Sequence, residues 1–139
     1  MVTPITKKRR ILFLIPLIIV IVILLYSWFI FIFSDNIPSL SHYLGLIFFL
    51  PILYFLFKSK TLKQPIILTG IYLVLATINI LSFFPFLFTS SLNIAIGSHT
   101  LFTPAINGFA LLILIIYSVL NFDTLVDIYL DYKEAKGRL

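Results

Sequence analysis

The side chains able to do chemistry in this chain are few, and they fall into two groups. The first is scattered through apolar sequence: Ser27, His42, Asn79, Ser82 and Asn107. The second is acidic. Of the five carboxylates in the protein, Asp123, Asp127, Asp131 and Glu134 lie together near one end. His42 is the one residue in the apolar stretches whose charge can change near neutral pH, so it is the candidate proton carrier. With His99 and Asp35 it offers three ligands for a divalent metal. They come from unconnected segments without a local spacing motif, so no metal and no cofactor are expected. The asparagines and serines can hydrogen-bond a solute or a neighbouring helix. There is no HExxH, no GxSxG and no P-loop. The absence of cysteine removes disulfides, thiolate zinc sites and cysteine nucleophiles.

The elements that must position these groups are membrane helices. Apolar residues make up 61% of the 139 residues, charged residues 11%, and the mean hydropathy is +1.16. A soluble domain carries about 25% charged residues. Four stretches, residues 11–33, 37–57, 65–89 and 101–122, contain no Asp, Glu, Lys or Arg. Each meets the roughly 20 residues needed to cross the hydrocarbon core. Continuous apolar runs lack the alternation of a lipid-facing barrel strand. The expected fold is therefore all-α: one domain, residues 1–139, in which a bundle of four transmembrane helices is followed by a cytoplasmic amphipathic helix at 123–139.

The basic residues orient it. Lys7, Lys8, Arg9 and Arg10 precede the first stretch, Lys58, Lys60 and Lys63 separate the second and third, and Lys133, Lys136 and Arg138 follow the fourth. If the chain alternates, all ten face one side, which makes both termini cytoplasmic. The expected location is the inner (plasma) membrane of a bacterium. The net charge of +5 is explained by this topology, so nucleic acid is not an expected partner. The first stretch follows positive residues as a secretory signal does. It is too long for a signal core and no small-residue cleavage site follows, so it reads as a retained helix. The SDN link, residues 34–36, forces a tight hairpin between the first two helices. The outer loop SSLNIAIGSHT, residues 90–100, is longer, and its NIAI segment is placed at the membrane interface. Trp28 and Tyr26, with Tyr54, Tyr72 and Tyr117, read as interfacial anchors.

Counted inward from the outer end of each span, Ser27, His42, Ser82 and Asn107 all lie roughly 8–10 Å deep. Asn79 is one turn deeper. One polar layer in the outer leaflet results, and two uses fit it. It glues helices together, or it lines an outward-facing pocket. Pro16, Pro51 and Pro85 each withhold an N–H from the carbonyl four residues earlier, and a kink is expected at Pro51. In the tail, taken as a continuation of the fourth helix, the four acids share a face of roughly 80°. Leu125, Ile128, Tyr129 and Tyr132 lie opposite. Aspartates spaced i,i+4 repel one another, which calls for basic partners. The nearest are Lys58, Lys60 and Lys63, then the Lys7–Arg10 cluster. The face Asp123–Asp127–Asp131 is accordingly a candidate docking surface, within the chain or on a partner; the alternative is a solvated stripe that keeps the tail off anionic lipid. Small-xxx-small pairs are nearly absent, so close helix dimerisation through them is not expected.

Without catalytic motifs, these features point to a non-enzymatic membrane protein. It is an accessory or protective subunit that meets the bilayer and a membrane protein partner, or a second copy of itself. The alternative is a small-solute transporter or channel that uses Ser27, His42, Asn79, Ser82 and Asn107. An intramembrane enzyme built on His42 ranks third.

Overall fold

The computed structural model describes residues 7–35, 37–38, 40–61, 63–84, 89–90, 93–96, 99–102 and 106–137, with only the backbone described for 89–102. It is a helical bundle. Helix α1 (Lys7–Phe33) is an unbroken run of 27 residues. At 1.5 Å per residue it is about 40 Å long, more than the roughly 30 Å hydrocarbon core. It buries Phe13, Leu17, Val20, Leu24 and Ser27, spaced 4, 3, 4 and 3 apart, which is the seam of a left-handed helix pair. A second stripe, Ile11, Ile15, Ile18, Val22, Leu25, Phe29 and Ile32, is exposed. In water such a patch would drive aggregation; against lipid it costs nothing. The chain's excess of large apolar residues thus covers the outside of the bundle as well as its core. Pro16 is buried within α1 and does not end it.

The second apolar stretch forms α2 (Leu40–Ile47) and α3 (Phe49–Lys58), separated by Phe48. Together they make one apolar helix of 19 residues. The interruption falls one turn before Pro51, where the missing N–H leaves the carbonyl of Ile47 without its helical donor. The interruption is at Phe48, three residues before Pro51, where the kink is expected.

The third stretch departs from the expected continuous span. Helix α4 (Lys63–Thr77) starts with Pro65 in its first turn, where no N–H is required, and stops at Thr77. Asn79 adopts φ 62°, its N–H donates to the carbonyl of Ala76 at 3.2 Å, and the N–H of Ile80 donates to that of Leu75 at 3.0 Å. These two bonds close a Schellman motif, with asparagine in the left-handed position that ends a helix. Residues 81–84 continue without helix or strand. Pro85 lies outside the described residues.

The described residues between α4 and α5 include short strands. Strand β1 (Thr89–Ser90) pairs antiparallel with β4 (Ile106–Asn107), and β2 (Asn93–Ile96) pairs with β3 (His99–Phe102). Register places Ile96 opposite His99, and the two ladders form separate two-stranded sheets. The NIAI segment and Leu101–Phe102 are strand, which corrects the start of the fourth helix. Helix α5 (Gly108–Leu120) begins after Asn107. The tail does not continue it straight. Helix α6 (Phe122–Gly137) leaves at 74° from α5, with Asn121 at the bend.

Among the described residues, two helices are long and apolar enough to cross a membrane, α1 and the α2–α3 unit, or three if α5 and α6 form one bent span. Helix α4 packs against both α3 and α5, and α5 packs against α1. The core between them is aliphatic and aromatic, with Phe13, Ile52, Ile66, Leu73, Leu81 and Phe83 fully enclosed.

Candidate functional site

The unwound stretch after α4 brings the polar residues together. Leaving the helix frees backbone groups of 81–84 from intrahelical partners, and buried backbone polar groups need others. Here the neighbouring helices supply the partners. The N–H of Ser82 donates to the carbonyl of Ser41, in α2, at 2.9 Å. The Ser27 hydroxyl, from α1, lies 2.6 Å from the carbonyl of Phe83 and 2.8 Å from its own helix's Ile23 carbonyl, so one proton is shared between them. His42 Nε2, from α2, is 2.8 Å from the carbonyl of Phe84, a contact that places the proton on Nε2. The Ser82 hydroxyl donates weakly to the same carbonyl at 3.4 Å. Ser27, His42 and Ser82 therefore converge on 82–84, each through a hydrogen bond to main chain.

Packing closes the site. Gly45 faces the segment so closely that a methyl carbon built on it would stand 2.1 Å from the Ser82 carbonyl oxygen. Any side chain there would drive the two backbones apart. The carbonyl of Gly45 accepts the Tyr72 hydroxyl, from α4, at 2.9 Å. Aromatic rings surround this meeting point: Phe49 on Tyr72, Tyr72 on Phe83, Phe83 on Phe84 and Phe84 on Phe109. Phe31 packs edge-on against the His42 ring at 4.7 Å.

The asparagines are not in this cluster. Asn79 ends α4, as described above. Asn107 is 1% exposed and caps α5: its Oδ1 accepts the N–H groups of Phe109 at 3.1 Å and Ala110 at 3.2 Å. A third asparagine, which the sequence reading passed over, sits at the α5–α6 bend. Asn121 donates Nδ2–H to the Tyr117 carbonyl at 3.0 Å, and its Oδ1 is buried without a partner among the described residues. Two tyrosines were also misassigned. Tyr72 and Tyr117, read as interfacial anchors, are each 2% exposed. Tyr117 donates to the carbonyl of Ile66, tying α5 to α4, with Gly70 against its hydroxyl. A hydroxyl on an aromatic ring suits an interface and a buried carbonyl equally, so composition does not separate the two.

At the basic end, Asp127 is joined to Arg9 at 2.6 Å, which links α6 to the start of α1. Both side chains are about a third exposed, so the pair contributes on the order of 0.2–1 kcal/mol. The partner comes from the N-terminal cluster and not from Lys58, Lys60 or Lys63. Asp123 and Asp131 make no ion pair among the described residues. Leu125 and Ile128 of α6 pack against the core. Arg138 and the side chain of His99 lie outside the described residues. Among the described residues no three His, Asp or Glu side chains are grouped to hold a metal.

No family model matches the chain, and neither do curated proteins or solved structures.

Proposed function

We propose that this is a non-enzymatic, multi-pass membrane protein that works by binding a partner in the membrane, as an accessory or protective subunit. In this reading the chain crosses four times, α4 and α5 each completing a crossing with the irregular segment beside it. Both termini and the basic residues face the cytoplasm of a bacterial inner membrane. One observation carries the preference over a solute pathway. The polar side chains expected to line a pocket are engaged with main chain: Ser27, His42 and Ser82 at 82–84, and Asn107 at the start of α5. Charge is exposed instead at the cytoplasmic end, on the lysines and arginines of 7–10 and 58–63 and on α6, where Asp123 is exposed and Asp131 half-buried.

The test is photo-crosslinking in cells from Leu130 and Glu134, exposed on the acidic face of α6. A partner subunit predicts one discrete adduct. Asp123, Asp127 and Asp131 changed together to asparagine should abolish it, and high salt should weaken it. No adduct at either position would remove the reading.

A specific observation supports a second reading. Transporters build substrate sites where a helix gives way to irregular backbone within the membrane, and α4 gives way at Asn79 to the irregular segment 81–84. Solute flux in proteoliposomes that is lost on changing Ser27 or His42, with the fold intact, would favour that reading over the first.

A further inference from the structure

We infer that the cleft between α4 and α5 binds one acyl chain of an anionic phospholipid from the cytoplasmic leaflet, with its headgroup at Lys63. The inference rests on the membrane reading above and adds a ligand to it. The cleft has a volume of about 330 Å³ and is lined by Ile67, Gly70, Ile71, Val74, Leu114 and Leu125, among others. That volume is at the lower end for small-molecule sites, which normally add a few converging polar groups. Here the one hydroxyl in the wall, on Tyr117, is committed to the Ile66 carbonyl. The occupant must therefore be hydrocarbon. Ile67, Ile71 and Val74 are each exposed along one side, so the cleft opens sideways to the surrounding lipid.

Its depth and charge select the rest. Lys63, Ile67, Gly70 and Val74 are spaced 4, 3 and 4 apart, so they form one stripe along α4. From Lys63 to Val74 the rise is about 16 Å, close to the roughly 15 Å of one leaflet's hydrocarbon. Lys63 is exposed at the inner end of that stripe and makes no ion pair among the described residues. Lys58 and Lys60 stand in the same link. On the opposite wall, Leu125 is flanked by Asp123 and Asp127. Asp127 is held by Arg9, which leaves Asp123 as the opposing charge against three lysines. Gly70 contributes by what it lacks: a methyl carbon there would meet the Tyr117 hydroxyl at 3.4 Å and narrow the floor.

The experiment is native mass spectrometry of the full chain, released from detergent in equal amounts of phosphatidylglycerol and phosphatidylcholine with matched chains. One phosphatidylglycerol per chain should be retained in preference. Lys63→Gln should reduce that preference about fivefold, the effect of one lysine on anionic lipid near the surface. Val74→Phe, which fills the cleft from an exposed position, should remove retention of both lipids, and Ile71→Trp should repeat the result. Helical circular dichroism confirms that each variant is folded. Equal retention of both lipids, indifferent to Val74→Phe and Ile71→Trp, would show ordinary solvating lipid and overturn the inference. So would a lipid-free dimer mass, which assigns the cleft to a second copy. A chain that sediments with membranes but retains no lipid loses the cleft alone. A chain that fails to insert removes the membrane reading first.

Discussion

Replacing Gly45 with alanine would place a methyl carbon 2.1 Å from the Ser82 carbonyl oxygen and 2.9 Å from its carbonyl carbon. Both are main-chain atoms, so no rotamer change relieves the clash. The segment 82–84 must retreat from α2. Three bonds then stretch together: Ser82 N–H to Ser41, Ser27 to Phe83, and His42 to Phe84. Interhelical hydrogen bonds in membrane proteins average about 0.6 kcal/mol, so these three, two from side chains and one from the backbone, are worth about 2 kcal/mol. Overpacking a tight core adds about 1–3 kcal/mol. The expected loss is therefore about 3–5 kcal/mol, a large share of the stability of a small domain. Gly108→Ala makes the same chemical change where nothing stands within 4 Å. In the first turn of α5 it should be neutral or stabilise by up to about 1 kcal/mol. The assay is unfolding of both variants in mixed micelles, followed by helical circular dichroism. If Gly45→Ala unfolds alongside the parent protein, the unwound segment does not lie against α2 and the site described here is wrong.

Asn79→Gly should preserve the end of α4 and keep stability within about 0.5 kcal/mol. Asn79→Leu should cost about 1–2 kcal/mol, because a branched side chain resists the left-handed conformation; micelle unfolding separates them. Asn107→Ala removes the cap of α5 and should cost about 0.5–2 kcal/mol, while Asn107→Asp should retain most of it. A double-mutant cycle on Arg9→Gln and Asp127→Asn should give a coupling of about 0.2–1 kcal/mol that shrinks at high salt, read by the same unfolding or by proteolysis of the tail.

How far the sequence revealed this arrangement depends on the kind of signal. The helices α1 and α2–α3 were legible because hydrocarbon demands long apolar runs, and both runs are continuous. The same criterion misled further along. Residues 65–89 and 101–122 are as apolar as the first two stretches, yet helix occupies only part of each. Apolarity reports the surroundings of a segment and says little about its backbone. The punctuation was present in Asn79 and Asn107, polar residues able to end or start a helix, but they were weighed as side chains for a pocket or for glue. The hairpin also left a trace: NIAI and HTLF flank Gly97–Ser98, the pattern of two strands about a two-residue turn. Counting residues from the span ends grouped Ser27, His42 and Ser82, which meet at 82–84. It could not supply their partners, which are carbonyls that exist as free acceptors only because α4 stops. Helical angles described the acidic face of α6 but not the 74° bend that brings Asp127 to Arg9.

The threading on which the proposed function depends is tested most directly by thiol labelling in intact and permeabilised cells. The chain has no cysteine, so each introduced thiol is the sole target. Four variants suffice: Ser34→Cys, Lys60→Cys, Ser98→Cys and Glu134→Cys. An impermeant maleimide should label positions 34 and 98 in intact cells, and positions 60 and 134 only after permeabilisation. Labelling of position 98 solely after permeabilisation would make α4 and α5 a re-entrant pair and contradict four crossings. Labelling of position 134 in intact cells would place α6 outside, away from the cytoplasmic partner proposed for it.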